Sequence, residues 1–175
     1  MIFRKRHRLD PDRPIVKLEM GPADWILEIL AIICILIFFG FSLYNIPRLP
    51  DTVPTHFNAS GTPDGYGNKV TLWMLPGIAL VIYSVLTLIS RIPEKLNYPV
   101  KITPANARKQ YTLGLRLIKY LKLVIVLMFF FISYETVMIA FGKSEGLGIW
   151  FFPIFIGTIV VPVFIYFILA MRYRK

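Results

Sequence analysis

His56, Asp64 and Glu135 are the side chains whose types could do chemistry in this chain. A histidine can ligate a metal or change charge near neutral pH. A carboxylate inside an apolar run is costly unless it faces a partner or a polar path. The spacing of these residues is less decisive than their types. His56 and Asp64 lie in one polar stretch, LPDTVPTHFNASGTPDGYGNK (Leu49 to Lys69), and Glu135 lies far away in FISYETVM. Zinc takes three or four ligands. The polar stretch offers His56, Asp51 and Asp64, so any metal set has to borrow from a helix, and Glu135 is the candidate lender. The plainer alternatives are a histidine bonded to its own loop, an Asp64 that serves an Asp-Gly turn, and a buried structural acid. Candidate partners for Glu135 are His56, Lys69 and Lys143, or the hydroxyls of Ser133, Tyr134 and Thr136. Glu28 also falls in an apolar run, but near a helix end, and reads as structural. No catalytic triad, paired-acid or nucleotide-binding signature is visible, so no catalytic residue and no cofactor is assigned, and the chain does not read as an enzyme.

The elements that must hold these residues are membrane spans. The chain has 175 residues, 56% of them hydrophobic and 17% charged, with mean hydropathy +0.62. The apolar residues come in four blocks of about 20 residues or more, enough to cross a hydrocarbon core of about 30 Å. The expected spans are 24–46, 70–90, 121–142 and 147–171. The fold class is therefore an all-α membrane protein, with four transmembrane helices and a structured extracellular loop, 47–69, between the first and second. A basic N-terminus, 1–22, precedes the single membrane domain, 23–171, and a short tail, 172–175, follows it. Pro76-Gly77 is expected to bend the second span, and Pro153, Gly157 and Pro162 lie in the fourth. The lone cysteine, Cys34, sits mid-span and reads as an apolar filler.

Charge sets the direction. The net charge is +10, and the cations flank the spans, which points to topology and anionic lipid rather than nucleic acid. Six Lys and Arg lie before the first span, eight lie between Arg91 and Lys122, and three lie in the tail, against two and one in the other loops. The positive-inside rule then places both termini and the 91–120 segment in the cytoplasm. Thr103 and Pro104 resemble a helix start. The helix after them either runs into the third span or bends near Gly114. Segment 101–122 is a docking face for a cytoplasmic partner or, more plainly, a basic stretch held at headgroups.

The outer loop has the marks of structure. Val53, Thr55 and Phe57 alternate in strand fashion, and NASG and PDGYG are turn signals. A hairpin packed on the helix ends fits. Asn58-Ala59-Ser60 matches a glycosylation sequon, a pattern too short to weigh.

The same stretch resembles the signature of a bacterial membrane domain of unknown function found at the N-terminus of SdpI-type toxin-immunity proteins. The matching residues are Leu49, Pro50, His56, Phe57, Asn58, Gly61, Asp64, Gly65 and Lys69, and Asn97 to Tyr111 is similar to a cytoplasmic segment of that group. The resemblance implies a multi-span protein of the bacterial plasma membrane. SdpI-type members protect the producing cell from a secreted peptide toxin and take part in signalling by holding a repressor at the membrane. The longer immunity proteins are expected to continue past four spans. The first functional reading is thus a protein that binds a peptide or membrane-protein partner through His56, Phe57, Asn58, Asp64 and Tyr66, with Glu135 beneath. The alternatives are a small ion- or proton-linked transport component, as an oligomer, or a metal-dependent membrane enzyme using His56, Asp64 and Glu135.

Overall fold

A computed structural model describes residues 13–175. The cations Arg4, Lys5, Arg6 and Arg8, counted above for topology, lie outside the described residues. Four helices are long and apolar enough to cross a membrane, and the chain is a multi-pass membrane protein. Helix α1 runs Pro22–Asn45, α2 Met74–Ile89, α3 Ala107–Ala140 and α4 Phe151–Arg172. Between α1 and α2 stand two antiparallel strands, β1 (Thr52–Phe57) and β2 (Pro63–Asn68).

The longest helix organises the rest. Helix α3 has 34 residues, about 51 Å at 1.5 Å per residue, so it outreaches the bilayer core by several turns. Segment 107–120 and the third span are one continuous helix, the first of the two arrangements expected. The other three helices all pack against α3. Its start lies later than Thr103. Thr103 and Asn106 bond each other reciprocally, with the Thr103 N–H donating to Asn106 Oδ1 (2.9 Å), and the helix begins at Ala107. The Thr-Pro signal marks a turn that precedes the helix and not its start, because Asn106 closes residues 103–106 on themselves. At the other end Gly142, at φ 70°, ends α3. Its N–H donates to Ile139 O and that of Lys143 to Met138 O, both 2.8 Å, the paired bonds of a Schellman cap.

Pro76 falls in the first turn of α2, where the short 3-10 helix Lys69–Trp73 gives way to α. There a missing N–H is least costly, so the proline marks the changeover rather than a mid-span bend.

Two clusters fill the bundle. Ile35, Phe38, Ala79 and Val126 pack mid-span. Ile46, Leu49, Val53, Leu72 and Val137 seal the end that carries the strands. At the opposite end a third cluster, Ile102, Ala107 and Tyr111, takes Val16, Leu18 and Tyr98 against it. Here polar side chains tie distant chain segments together. Arg13 donates to Leu96 O (2.5 Å), Tyr111 to Pro14 O (3.2 Å), and Gln110 to Ala170 O and Tyr173 O (both 2.9 Å). Tyr98 donates to Pro93 O at 2.9 Å, and burial pushes its phenol above the usual tyrosine range, so it stays a donor. The outward faces of α1 and α4 stay apolar: Leu36, Leu43, Ile154 and Phe164 are exposed, as expected of surfaces in contact with lipid.

Candidate functional site

The polar stretch folds as a hairpin in which several residues have an identifiable job. Thr52 pairs with Asn68, Val53 with Gly67, Pro54 with Tyr66, His56 with Gly65 and Phe57 with Pro63, with irregular register around His56. Two strands this short are marginal alone, so the hairpin is held from outside. Val53 is fully buried against Leu49, Leu72 and Val137. Lys69 closes the base: its Nζ donates to Leu49 O (2.8 Å) and pairs with Asp51 (3.2 Å), and its N–H donates to Asp51 O (3.0 Å).

Asn58 builds the connecting turn. Its Oδ1 accepts the N–H groups of Ser60 (2.9 Å) and Thr62 (3.1 Å), while its own N–H donates to Thr62 O (3.0 Å). Gly61 has φ 78°. Its carbonyl accepts the Leu147 N–H at 2.7 Å, and a Cβ there would lie 2.7 Å from the Gly148 oxygen. Only glycine fits both the backbone and this approach. The α3–α4 connection is thereby clasped to the hairpin tip.

Asp64-Gly65 is not a turn. The pair lies inside β2, and Asp64 Oδ1 meets His56 Nδ1 at 2.5 Å across the strands. Gly65 is required because a Cβ would sit 2.9 Å from the His56 Cβ. Local turn propensity had pointed to a turn at Asp-Gly; cross-strand pairing overrides it. The His56–Asp64 pair is exposed, with 72% and 43% of the side chains accessible. Tyr66 is also exposed and Phe57 is half-buried.

Glu135 takes a partner outside its expected set. Ser144 Oγ donates to its Oε2 at 2.7 Å, so the acid pins the α3–α4 connection from below. Among the described residues no hydrogen bond or ion pair joins His56 or Asp64 to Glu135, and no three His, Cys, Asp or Glu side chains gather as a metal set.

The charged constellation that sequence reasoning missed lies at the opposite end. Lys122 is 1% exposed. Its Nζ donates to Glu28 Oε1 (2.6 Å), Glu28 Oε2 (2.8 Å) and Thr87 Oγ1 (3.0 Å), and Tyr83 donates to the same carboxylate at 3.0 Å. One turn away, Lys119 donates to Asp24 Oδ1 at 3.1 Å, and Arg116 approaches that oxygen at 3.6 Å. Asp24 Oδ2 accepts the Gly21 N–H at 2.9 Å. Both lysines belong to the cations counted for topology between Arg91 and Lys122; their side chains are buried between helices. The signal was available. Acids at i, i+4 open one span and lysines at i, i+3 open another, which puts each pair on one helix face.

Comparison with known proteins agrees with this frame. A family model described as "Domain of unknown function (DUF1648)" matches residues 32–80, from mid-α1 through the hairpin into α2. No solved structure matches. An uncharacterized protein of Archaeoglobus fulgidus is 30% identical over 153 residues, covering 79% of this chain and 82% of the relative. By that extent of similarity the chain belongs to the same family as the Archaeoglobus fulgidus protein, with DUF1648 as the part of it that carries the hairpin.

Proposed function

We propose that this is a binding protein of the SdpI type, which presents its hairpin outside the plasma membrane to a peptide or membrane-protein partner, in an immunity or signalling role. The orientation follows from the Lys and Arg excess at the opposite end, which puts both termini in the cytoplasm. The bacterial plasma membrane is the compartment the SdpI resemblance suggests.

The observation that carries the reading is the division of the hairpin into a fixed side and a free side. Leu49 and Val53 are buried among the helix ends, and Asn58, Gly61 and Lys69 lock the turn, tip and base. Opposite them Tyr66 keeps 63% of its surface exposed beside the exposed His56–Asp64 pair. A loop already held in one shape loses little entropy on binding, and an exposed tyrosine on a rigid base is a common anchor of binding energy. Phe57 and Asn58 support the free side rather than form it. The transport and metal-enzyme readings gain no observation, because His56 and Glu135 are each bonded elsewhere.

A photocrosslinking residue in place of Tyr66, in living cells, tests the proposal. A discrete adduct to a peptide or a second membrane protein is expected. Adducts confined to this chain, at the α3–α4 connection, would reduce the hairpin to a cap on the helix ends.

A further inference from the structure

At the end opposite the hairpin, a cavity of about 330 Å³ opens between α1, α2 and α3 under the segment that precedes α1. Its wall is divided. Val16, Leu18, Met20 and Leu115 line one part, and Lys119, Lys122 and Arg91 together with Asp24, Glu28 and Glu19 contribute charge of both signs to another. The question is which of these charges has bonding capacity left.

Lys122 has none. An ammonium has three donors, and all three go to Glu28 and Thr87. Asp24 is already paired, with Gly21 on one oxygen and Lys119 and Arg116 on the other. Lys119 differs. It is 7% exposed and makes one hydrogen bond among the described residues, to Asp24, so two buried N–H donors remain. Arg91 stands exposed in the lining and forms no ion pair among the described residues. The buried donors left unspent are therefore those of Lys119, with Arg91 at the exposed rim, where the carboxylate of Glu19 also stands. A ligand that meets Lys119 and Arg91 together is an acceptor; an anionic one gains charge-assisted bonds from both, and it need not break either acid–lysine pair.

Two further facts narrow its class. The cavity lies beside the first turn of α1 and Ser90, the residue that caps α2, which is the level where a bilayer's phosphates lie. Its size is at the low end for small-molecule sites, about 300–1,000 Å³, which suits a headgroup and not a folded peptide. We propose that the cavity binds a phosphate group, that of a glycerophospholipid headgroup in the surrounding bilayer, with its oxygens on Lys119 and Arg91 and its glycerol and upper chains against Val16, Leu18 and Leu115. Arginine and lysine are the usual phosphate donors, and basic pockets between spans are known settings for such headgroups. The inference does not depend on the hairpin's role.

The full chain in a maltoside detergent, which has no phosphate, is titrated with dioctanoyl phosphatidylglycerol and with dioctanoylglycerol, the same tails without phosphate, and bound lipid is counted by native mass spectrometry. One phosphatidylglycerol per chain and no retained dioctanoylglycerol are expected. Arg91→Gln and Lys119→Gln should each weaken binding about tenfold, as loss of one charge-assisted hydrogen bond implies. Arg91 has no structural ion pair to lose among the described residues, so its variant keeps the test valid if Lys119→Gln fails to fold. Inorganic phosphate added as competitor sorts the source: failure to displace the lipid confirms the headgroup, and displacement at equal concentration assigns the site to free phosphate and overturns the lipid assignment. Equal retention of dioctanoylglycerol, no binding of either phosphate compound, or indifference to Arg91→Gln would overturn the site altogether.

Discussion

Lys122 and Gly61 show how single residues carry this fold. Lys122 lies in surroundings where an unpaired charge is not tolerated, and its pair with Glu28 is a poor source of net stability but an expensive thing to break. Lys122→Met should therefore cost about 3–5 kcal/mol, because Glu28 is left charged without its cation, with only the Tyr83 hydroxyl donating to it. The double replacement Glu28→Gln with Lys122→Met should recover most of that loss. Unfolding in mixed detergent, followed by circular dichroism, measures both; equal losses in the single and double variants would refute the pairing argument. Gly61 offers a second test. An alanine there meets a left-handed backbone and the Gly148 oxygen at 2.7 Å, so Gly61→Ala should cost about 1–3 kcal/mol. Gly157→Ala is the control. A Cβ at Gly157 has nothing within 4 Å, and in a helix the change should be neutral or stabilise by up to ~1 kcal/mol.

Among the elements, helices were the more legible in sequence and the hairpin's details the less. Four apolar blocks define four helices because hydrocarbon leaves a backbone few other options. The strand pattern at Val53, Thr55 and Phe57 also held, since Thr52–Phe57 is β1. What misled was local chemistry under tertiary control. Asp64-Gly65 has the composition of a turn, yet it serves β2 because His56 needs a small neighbour and an acid opposite it. The turn sits earlier, at Asn58 to Thr62, where one amide side chain organises the backbone. Lys119 and Lys122 were hidden for a different reason. A lysine beside a span already has an explanation in topology, which masks its match to an acid on another span. The Asn58 argument gives a prediction at this scale. Asn58→Ala removes the acceptor for two N–H groups, worth about 1 kcal/mol each. Amide exchange at Ser60 and Thr62 should quicken by about tenfold, while β1 amides near Val53 keep their protection from the packed base. Uniform loss of protection along the hairpin would mean that the turn, and not the docking of Val53, holds it.

For the whole molecule, the decisive property is that its two ends differ in kind. One end is a small sheet clasped by the α3–α4 connection, with few cations. The other gathers the segment before α1, the α2–α3 connection and the C-terminal tail, tied by Arg13, Gln110 and Tyr111. An even number of spans requires that both chain ends share a side, and those bonds place them together. The charge asymmetry is the ground on which we propose that this side faces the cytoplasm. Buried pairing of Lys119 and Lys122 does not undo that proposal, because Arg91, Lys95, Arg108 and Lys109 remain at that end with no ion pair to an acid among the described residues. Cysteine labelling tests it directly. In a Cys34→Ser background, Ser60→Cys on the hairpin tip should react with a membrane-impermeant maleimide in intact cells. Lys95→Cys, in the α2–α3 connection, should react only after the membrane is permeabilised. The opposite pattern would put the hairpin inside the cell, and with it any partner that the exposed Tyr66 meets. Reaction at both sites in intact cells would indicate dual insertion, which the separation of charge between the ends argues against.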